Sequence, residues 1–451
     1  MVKEIKGDAV KLYEIIKSNH VGYLIKALDR LGRLNSQFDK KPLLKLLEHE
    51  NEKVRFLAIK NLAKFEDLLL LETYMNLIKN DESSGVRREA VSAIGRLRNP
   101  ITKEILISYL KDSDPEVVLQ AIRGLLVFKE DIEIKKRLVK LESHPNEIIQ
   151  EVIKKEFEMN HYNGNGIDHS KSPNFMKNII VHGDVRDILK FVPDESIHLT
   201  FTSPPYYNAR DYSIYPSYKE YLEFLEEVFK EVHRVTKEGR FFILNTSPII
   251  IPRAGRQYSS KRYPIPYDIH PLLVKMGWEF IDDIIWLKPE ASVKNRNAGF
   301  LQHRKPLTYK PNPCTESVMV YRKKTDKLID WNIKQYDLGI VEESKINGDF
   351  ESSNIWKIDP VFDKTHSAVF PLELCNKVIK FYSFKRDLIF DPFAGSGTLG
   401  KAALNLDRHF FLTEKEKKYI ERIKENFNQS KIFSQNKFIP KFLSLDNFKD
   451  L

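Results

Sequence analysis

The stretch that most restricts how this chain can fold is Asp391-Pro392-Phe393-Ala394-Gly395-Ser396-Gly397-Thr398. The apolar run Leu388-Ile389-Phe390 leads into it, and a helix-compatible run from Leu399 to Leu406 leaves it. A strand that turns through small residues into a helix leaves backbone N–H groups open at the helix start. Such a place receives an anionic or polar ligand group at close range. Glycine is needed there because a Cβ would block the approach and disfavour positive φ. Glu414 lies 23 positions beyond Asp391, after a second apolar run, Phe410-Phe411-Leu412. A nucleoside-binding α/β site carries its ribose-binding carboxylate at that place. The stretch therefore predicts a site for a nucleoside-like cofactor.

Gly395-Ser396-Gly397-Thr398-Leu399-Gly400 also reads as G-x-G-x-x-G. A dinucleotide fold sets two βαβ halves after its first glycines, whereas only about fifty residues follow here. The remaining strands must come from upstream, in an order permuted relative to a dehydrogenase. No Lys-Ser/Thr pair follows the glycines, which speaks against a nucleotide phosphate loop.

Upstream, strand and helix patterns alternate. Ile179-Ile180-Val181 is a buried-strand run, followed by Gly183-Asp184 and a short helical pattern from Val185 to Phe191. Ile197 to Phe201 predicts the next strand, stopped by Thr202-Ser203-Pro204-Pro205-Tyr206, whose paired prolines keep the backbone extended. Ser217 and Glu220 form a capping box for an amphipathic helix expected to stop at Gly239, before the strand Phe241 to Leu244. A helix from Asp268 to Met276 and a strand from Ile281 to Leu287 precede a less regular stretch to about Lys364. Strands alternating with helices predict an α/β domain whose mostly parallel sheet is covered on both faces.

The first third repeats itself. Segments beginning at Val54, Val86, Val117 and Ile148 align without gaps, spaced by 32, 31 and 31 residues. Each follows a polar turn, and another apolar stretch, such as Leu43 to Leu47, precedes that turn. A helix–turn–helix unit of this kind cannot bury its apolar face without the next one, so an all-α solenoid is expected over residues 1–160. Its pattern resembles HEAT repeats in a short form. Residues 161–175 lose apolar periodicity and read as a linker, leaving 176–451 as the second domain.

The excess of 73 basic over 63 acidic residues gives a net charge of +10, which favours a polyanionic partner. Two cysteines, Cys314 and Cys375, exclude a disulfide framework and fit a reducing compartment. The N-terminus has no secretory pattern and no apolar run is long enough to span a bilayer, so a cytoplasmic protein without a membrane partner is expected. No metal-ligand set is identified.

Thr202 to Tyr206 resembles the S-P-P-Y catalytic signature of DNA amino-methyltransferases, and Asp391 to Thr398 resembles their D-P-F-x-G-S-G-T site for S-adenosyl-L-methionine. The catalytic motif precedes the cofactor motif, as in the β-class order of that family. The resemblance covers about Asn178 to Arg422 and omits the repeats. It implies the Rossmann-like sheet of S-adenosylmethionine-dependent methyltransferases, preceded by the HEAT-like solenoid.

The chemistry of the residues agrees. The exocyclic amino nitrogen of a base is a poor nucleophile because its lone pair is delocalised into the ring. Acceptors at the Ser203 hydroxyl and the Pro204 carbonyl would draw that nitrogen toward tetrahedral geometry for in-line attack on a sulfonium methyl, with no covalent intermediate. Tyr206 would offer a flat face to a base flipped from double-stranded DNA. Ser203, Pro204, Pro205 and Tyr206 are thus the catalytic candidates. Asp391, Pro392, Phe393, Gly395, Ser396 and Gly397 are the cofactor candidates, with Glu414 on the ribose. The resemblance adds Asp184 beside the adenine, and Phe370 and Pro371, within Thr365 to Pro371, around the methionine part. A structural Phe-Pro turn is the competing reading of the last two.

For DNA the candidates are Arg253, Arg256, Lys261 and Arg262, then Lys294, Arg296, Arg304 and Lys305 within Lys288 to Lys310. Loose basic, amide-bearing segments suit phosphate contacts and base-edge readout. Residues 288–360 are the candidate target-recognition region. Pro313-Cys314 could be a C5-methyltransferase nucleophile, but it lacks that motif order and reads as a packing cysteine. Adenine enzymes of the amino-methyltransferase family more often carry Asp or Asn where this chain has Ser203, so the resemblance favours N4 of cytosine, with N6 of adenine as the alternative. The expected protein is a site-specific DNA methyltransferase, the modification partner of a restriction endonuclease. A repeat scaffold with an inactive methyltransferase fold is the reading from a different class.

Overall fold

In the computed structural model the described residues are all except 1–8, 18–19, 35–36, 158–167, 208–214, 252–254, 256, 259, 294–305, 308–310, 349–350, 362–368 and 432–439. The chain separates into two compact units, residues 1–163 and 164–451.

The first unit is helical: α1 (Ala9–Lys17), α2 (Val21–Asp29), α3 (Lys41–Lys45), α4 (Glu52–Leu62), α5 (Leu71–Asn80), α6 (Ser84–Arg96), α7 (Thr102–Ser108), α8 (Pro115–Leu125), α9 (Ile132–Val139) and α10 (Glu147–Phe157). The even-numbered helices from α4 begin where a polar turn meets the repeat's first buried residue. Asn51 accepts hydrogen bonds from the N–H groups of Lys53 and Val54, and Asn146 accepts from Ile148 and Ile149. That cap corrects the fourth repeat by one residue. Ile149 is fully buried like Val54 and Val86, whereas Ile148 is half-exposed. The residue after the buried position clamps the preceding turn in three repeats. Arg55 donates to the carbonyls of His49 and Glu50, Arg87 to those of Asp81 and Glu82, and Gln150 to that of His144. Successive repeats are further tied by Arg55–Asp81 and Lys103–Asp131, each 2.7 Å.

The second unit runs β1 (Ile179–His182), α11 (Val185–Ile188), β2 (Ile197–Thr202), α12 (Tyr218–Val235), β3 (Thr236–Thr246), β4 (Ile249–Ile251), β5 (Lys261–Tyr263), α13 (Ile265–Lys275), β6 (Trp278–Leu287), β7 (Thr315–Lys323), α14 (Ile329–Ile333), α15 (Leu338–Glu343), β8 (Ile355–Lys357), α16 (Leu372–Tyr382), β9 (Leu388–Asp391), α17 (Thr398–Asn405), β10 (His409–Glu414), α18 (Lys417–Lys431), β11 (Lys441–Ser444) and α19 (Leu445–Lys449). Nine strands form one sheet in the order β11-β1-β10-β9-β2-β3-β7-β6-β8, and β4 pairs with β5 in a separate ribbon. Within the large sheet β7 alone, among the described residues, runs antiparallel to its neighbours.

Alternate residues of each strand feed the two faces. Ile179 and Val181 pack with Tyr221, Leu225, Val228 and Phe229 of α12, while Ile180 packs with the face that holds Leu374 and Val378 of α16 and Leu399 of α17. The helix expected to stop at Gly239 ends instead at Val235. Thr236 opens β3, and Gly239 lies inside that strand at φ +66, where the pairing with β2 shifts register. A Cβ at Gly239 would sit 2.9 Å from Asn332 Nδ2, so the glycine serves a bulge rather than a helix end.

Candidate active site

The two motifs meet. β9 lies between β10 and β2, with Thr200 in register with Phe390. The loops leaving the carboxyl ends of β2 and β9 therefore emerge side by side. Chain order reverses there, the place where open α/β sheets bind their ligands. Thr202 Oγ1 donates to Asp391 Oδ1 at 2.6 Å, and the Phe393 N–H donates to the same oxygen at 3.0 Å.

A cleft of about 420 Å³ opens over this seam, lined by Gly183, Asp184, Ser203 to Tyr206, Phe370, Asp391 to Ser396, Thr398 and Glu414. Arg186, Tyr215, Phe224, Lys415 and Tyr419 also line it and were not anticipated. Pro371 and Gly397 do not line the cleft. Pro371 is buried and caps α16. Gly397 takes φ +74 at the start of α17, with its α-carbon so close to α18 that a Cβ would lie 3.0 Å from Ile423. It shapes the turn; the positions of this loop that line the cleft include Gly395 and Ser396.

Electrostatics of the cleft centre on buried carboxyls. Burial raises Asp391 to about 7 against the hydrogen bonds from Thr202 and Phe393 that favour its charge. Burial likewise raises Glu414 to about 7, although its two oxygens accept 2.8 Å bonds from the Gly395 and Glu416 N–H groups. Asp184 goes the other way. Burial opposes its charge, but Arg186 and Lys415 bond to it and hold it down to about 2. Asp184 also caps α11 through the Arg186 N–H, so much of its bonding capacity is spent within the protein.

On the other side of the seam, Ser203 Oγ donates to Tyr206 Oη at 3.4 Å, and Tyr206 Oη donates to Glu316 Oε2 at 3.2 Å. Asn245 Nδ2 donates to Glu316 at 2.6 Å, and Lys288 pairs with the other Glu316 oxygen. Burial and the Glu316 charge push the Tyr206 hydroxyl well above its ordinary value. The Tyr206 ring lines the cleft while its hydroxyl is engaged below. Asn245 had a legible signal, an amide at the end of a buried apolar strand. Glu316, at the start of β7, had none.

Phe370 stacks on Phe201, with ring centroids 4.6 Å apart. Lys261 and Arg262 are exposed on β5. Arg253, Arg256, Lys294, Arg296, Arg304 and Lys305 lie outside the described residues, as do 365–368. Within 288–360, α14, α15 and the turn between them are fastened at the amino ends of central strands, away from the cleft. There Tyr336 Oη bonds Asp387 at 2.6 Å and Asn332 bonds His169 at 2.8 Å. Among the described residues of that range, Glu316, paired with Lys288, reaches the cleft-lining Tyr206. Cys314 is half-buried, and its carbonyl accepts from the Lys288 N–H.

The arrangement defines an α/β protein that can hold a nucleoside-like group beside a serine and two prolines that line the cleft. A DNA methylase family model matches residues 197–425, just over half of the chain, and the chain belongs to that N6/N4 family. Its fold is the mixed sheet of S-adenosylmethionine-dependent methyltransferases. A HEAT-repeat model matches residues 39–126 and 71–147.

The chain is 30% identical over 268 residues to Type II methyltransferase M.MwoI of Methanothermobacter wolfeii, covering 55% of this chain and 35% of that one. It is 30% identical over 241 residues to Type II methyltransferase M.ScaI of Streptomyces caespitosus, covering 50% of this chain and 73% of the relative. Among solved structures, the PvuII DNA methyltransferase (cytosine-N4-specific) aligns at 18% identity and TM-score 0.42, covering 61% of this chain and 96% of that one. The chain thus spans a minority of M.MwoI's own length. Among the described residues no helix is long and apolar enough to cross a membrane.

Proposed function

We propose that this chain transfers a methyl group from S-adenosyl-L-methionine to the exocyclic N4 of cytosine within a short site in double-stranded DNA, as the modification partner of a restriction endonuclease. The observation that carries this reading is the Thr202–Asp391 bond, which unites the S-P-P-Y loop and the glycine loop in one cleft.

The residues present fit the cofactor. Its volume suits a cleft of this size, and pockets for such ligands run from about 300 to 1,000 Å³. Glu414 is an acceptor for ribose hydroxyls, and Phe224, Phe393 and Tyr419 are aromatic surfaces for an adenine. Buried Asp391 and Glu414 supply negative potential to a cationic sulfonium. Bound there, the cofactor supplies an electrophilic methyl. Ser203 Oγ and the Pro204 carbonyl accept hydrogen bonds from the target amino group, Tyr206 flanks the base, and Phe370 packs around the methionine part of the cofactor. Lys261 and Arg262 meet phosphates, and 288–360 contributes target recognition. Serine at 203 supports cytosine as the target, and the Type II relatives support a restriction–modification setting.

Digestion of DNA incubated with the protein and labelled cofactor, followed by mass spectrometry of the nucleosides, tests this directly. N4-methylcytosine is expected. N6-methyladenine would move the target to adenine, and no incorporation would leave a repeat scaffold with an inactive methyltransferase fold. Ser203→Ala should lower turnover while cofactor affinity stays near that of the parent.

A further inference from the structure

The hydrogen bonds beneath the catalytic loop have a direction. A carboxylate can only accept, so Glu316 fixes the single phenolic proton of Tyr206 toward itself. Tyr206 Oη is then an acceptor, and it takes the proton of Ser203 Oγ. Ser203 in turn has its proton drawn away from the cleft and its lone pairs left facing it. Asn245 reinforces the polarity by donating to Glu316 and, at 3.5 Å, to Tyr206. Among the described residues its own carbonyl oxygen is buried without a hydrogen-bond partner, so the side chain is turned to serve the carboxylate. Lys288, paired with the second oxygen, keeps Glu316 in place; both side chains are 15% exposed.

We propose that Glu316 is a positioning residue and the terminal acceptor of a proton relay running from Ser203 through Tyr206, which makes Ser203 an acceptor for the target amino group and removes its surplus proton. The proposal rests on the methyl-transfer reading above. Formation of the nitrogen–carbon bond uses the amino lone pair, the electrons of the broken carbon–sulfur bond stay on sulfur, and nitrogen is left cationic with one proton too many. That proton passes to Ser203 Oγ, the Ser203 proton to Tyr206 Oη, and the Tyr206 proton to Glu316 Oε2, which ends neutral. A protonated exocyclic amine on a delocalised ring is a far stronger acid than any carboxylic acid, so the relay runs downhill even with Lys288 beside its end.

The test begins with the full chain and single-turnover methylation. Glu316→Gln keeps the shape but can donate to Tyr206 and reverse the chain. Tyr206→Phe keeps the ring facing the cleft, leaves the Lys288–Glu316 pair intact and removes only the relay oxygen. Each should slow single-turnover transfer by about 100-fold, in the range of general acid–base effects. Dissociation constants for cofactor and DNA should stay within about twofold, well short of a tenfold change per 1.4 kcal/mol. Glu316→Asp should recover part of the rate.

A second readout needs no turnover. The ζ-carbon resonance of isotope-labelled Tyr206, identified by its loss in Tyr206→Phe, should move in Glu316→Gln. An unchanged rate in Tyr206→Phe would overturn the relay, as would a rate loss matched by equal loss of cofactor or DNA affinity. If Glu316→Gln does not fold, the Tyr206→Phe rate alone decides. A parent protein that transfers no methyl would instead sink the functional reading itself.

Discussion

Thr202 and Asp391, 189 positions apart in the sequence, share a 2.6 Å hydrogen bond at the carboxyl ends of two adjacent parallel strands. That bond and the Phe393 N–H are what favour a charge on an otherwise buried carboxyl. Thr202→Val keeps the shape and removes the donor. The second unit should lose about 1 kcal/mol in denaturant unfolding, the net worth of such a bond. Cofactor affinity should fall with it, measurable by calorimetry.

Cofactor binding should depend on pH. Asp391 and Glu414 are each raised to about 7, so near neutrality both are partly protonated in the empty cleft. A cation entering beside them favours their ionised forms. Affinity for S-adenosyl-L-methionine should therefore rise between about pH 6 and 8, and binding should release protons. Calorimetry in buffers of different ionisation enthalpy measures that release directly.

The same two carboxyls set a stability trend of opposite benefit. Their folded values lie above the ordinary unfolded values of about 4. Stability from their neutral forms is fully present below about pH 4 and is lost as pH climbs through about 7. Asp391→Asn keeps an oxygen for Thr202 and Phe393 while removing the titration. At pH 8 its second unit should melt higher than the parent's, while cofactor affinity drops. Thermal scans across pH give the first result and a binding isotherm the second.

Gly95 on α6 and Gly124 on α8 approach so closely that a Cβ on either would lie 2.9 Å from the α-carbon of the other. Backbone cannot yield as a side chain would. Gly124→Ala should destabilise the helical unit by about 1–3 kcal/mol, the cost of overpacking. Calorimetry should show that loss in the transition of residues 1–163, with the transition of the second unit unmoved.

Lys261 and Arg262 stand exposed on a short ribbon. If they meet phosphates, replacing both by alanine should weaken DNA binding similarly for all sequences and reduce the salt slope by about 2. Filter-binding titrations over a range of salt concentrations check this.

Much of the site was legible because its chemistry is local. The strand–glycine–helix pattern at 388–406 and the double proline after 201 each identify a loop, and the order of the two within the chain implies one shared sheet. Gly239 misled because a glycine after an amphipathic helix reads the same whether it ends the helix or relaxes a bulge, and only the neighbouring Asn332 decides. Ile148 misled because two adjacent isoleucines carry the same apolar signal, and the cap at Asn146 selects the second. Glu316 was invisible because its meaning comes from Tyr206, 110 positions away. Pairing across a sheet is a property of topology, which residue type alone does not encode.

The placement of β9 between β10 and β2 has a consequence for synthesis. A ribosome delivers the serine loop nearly two hundred residues before the strand that must lie against β2. Until Leu388 to Asp391 emerge, that edge of β2 has no partner in the sheet, and the nascent chain carries the serine loop without the glycine loop that completes the cleft. On the proposed function, any product terminated before Glu414 would lack half of the cleft and could not methylate, a safeguard written into strand order.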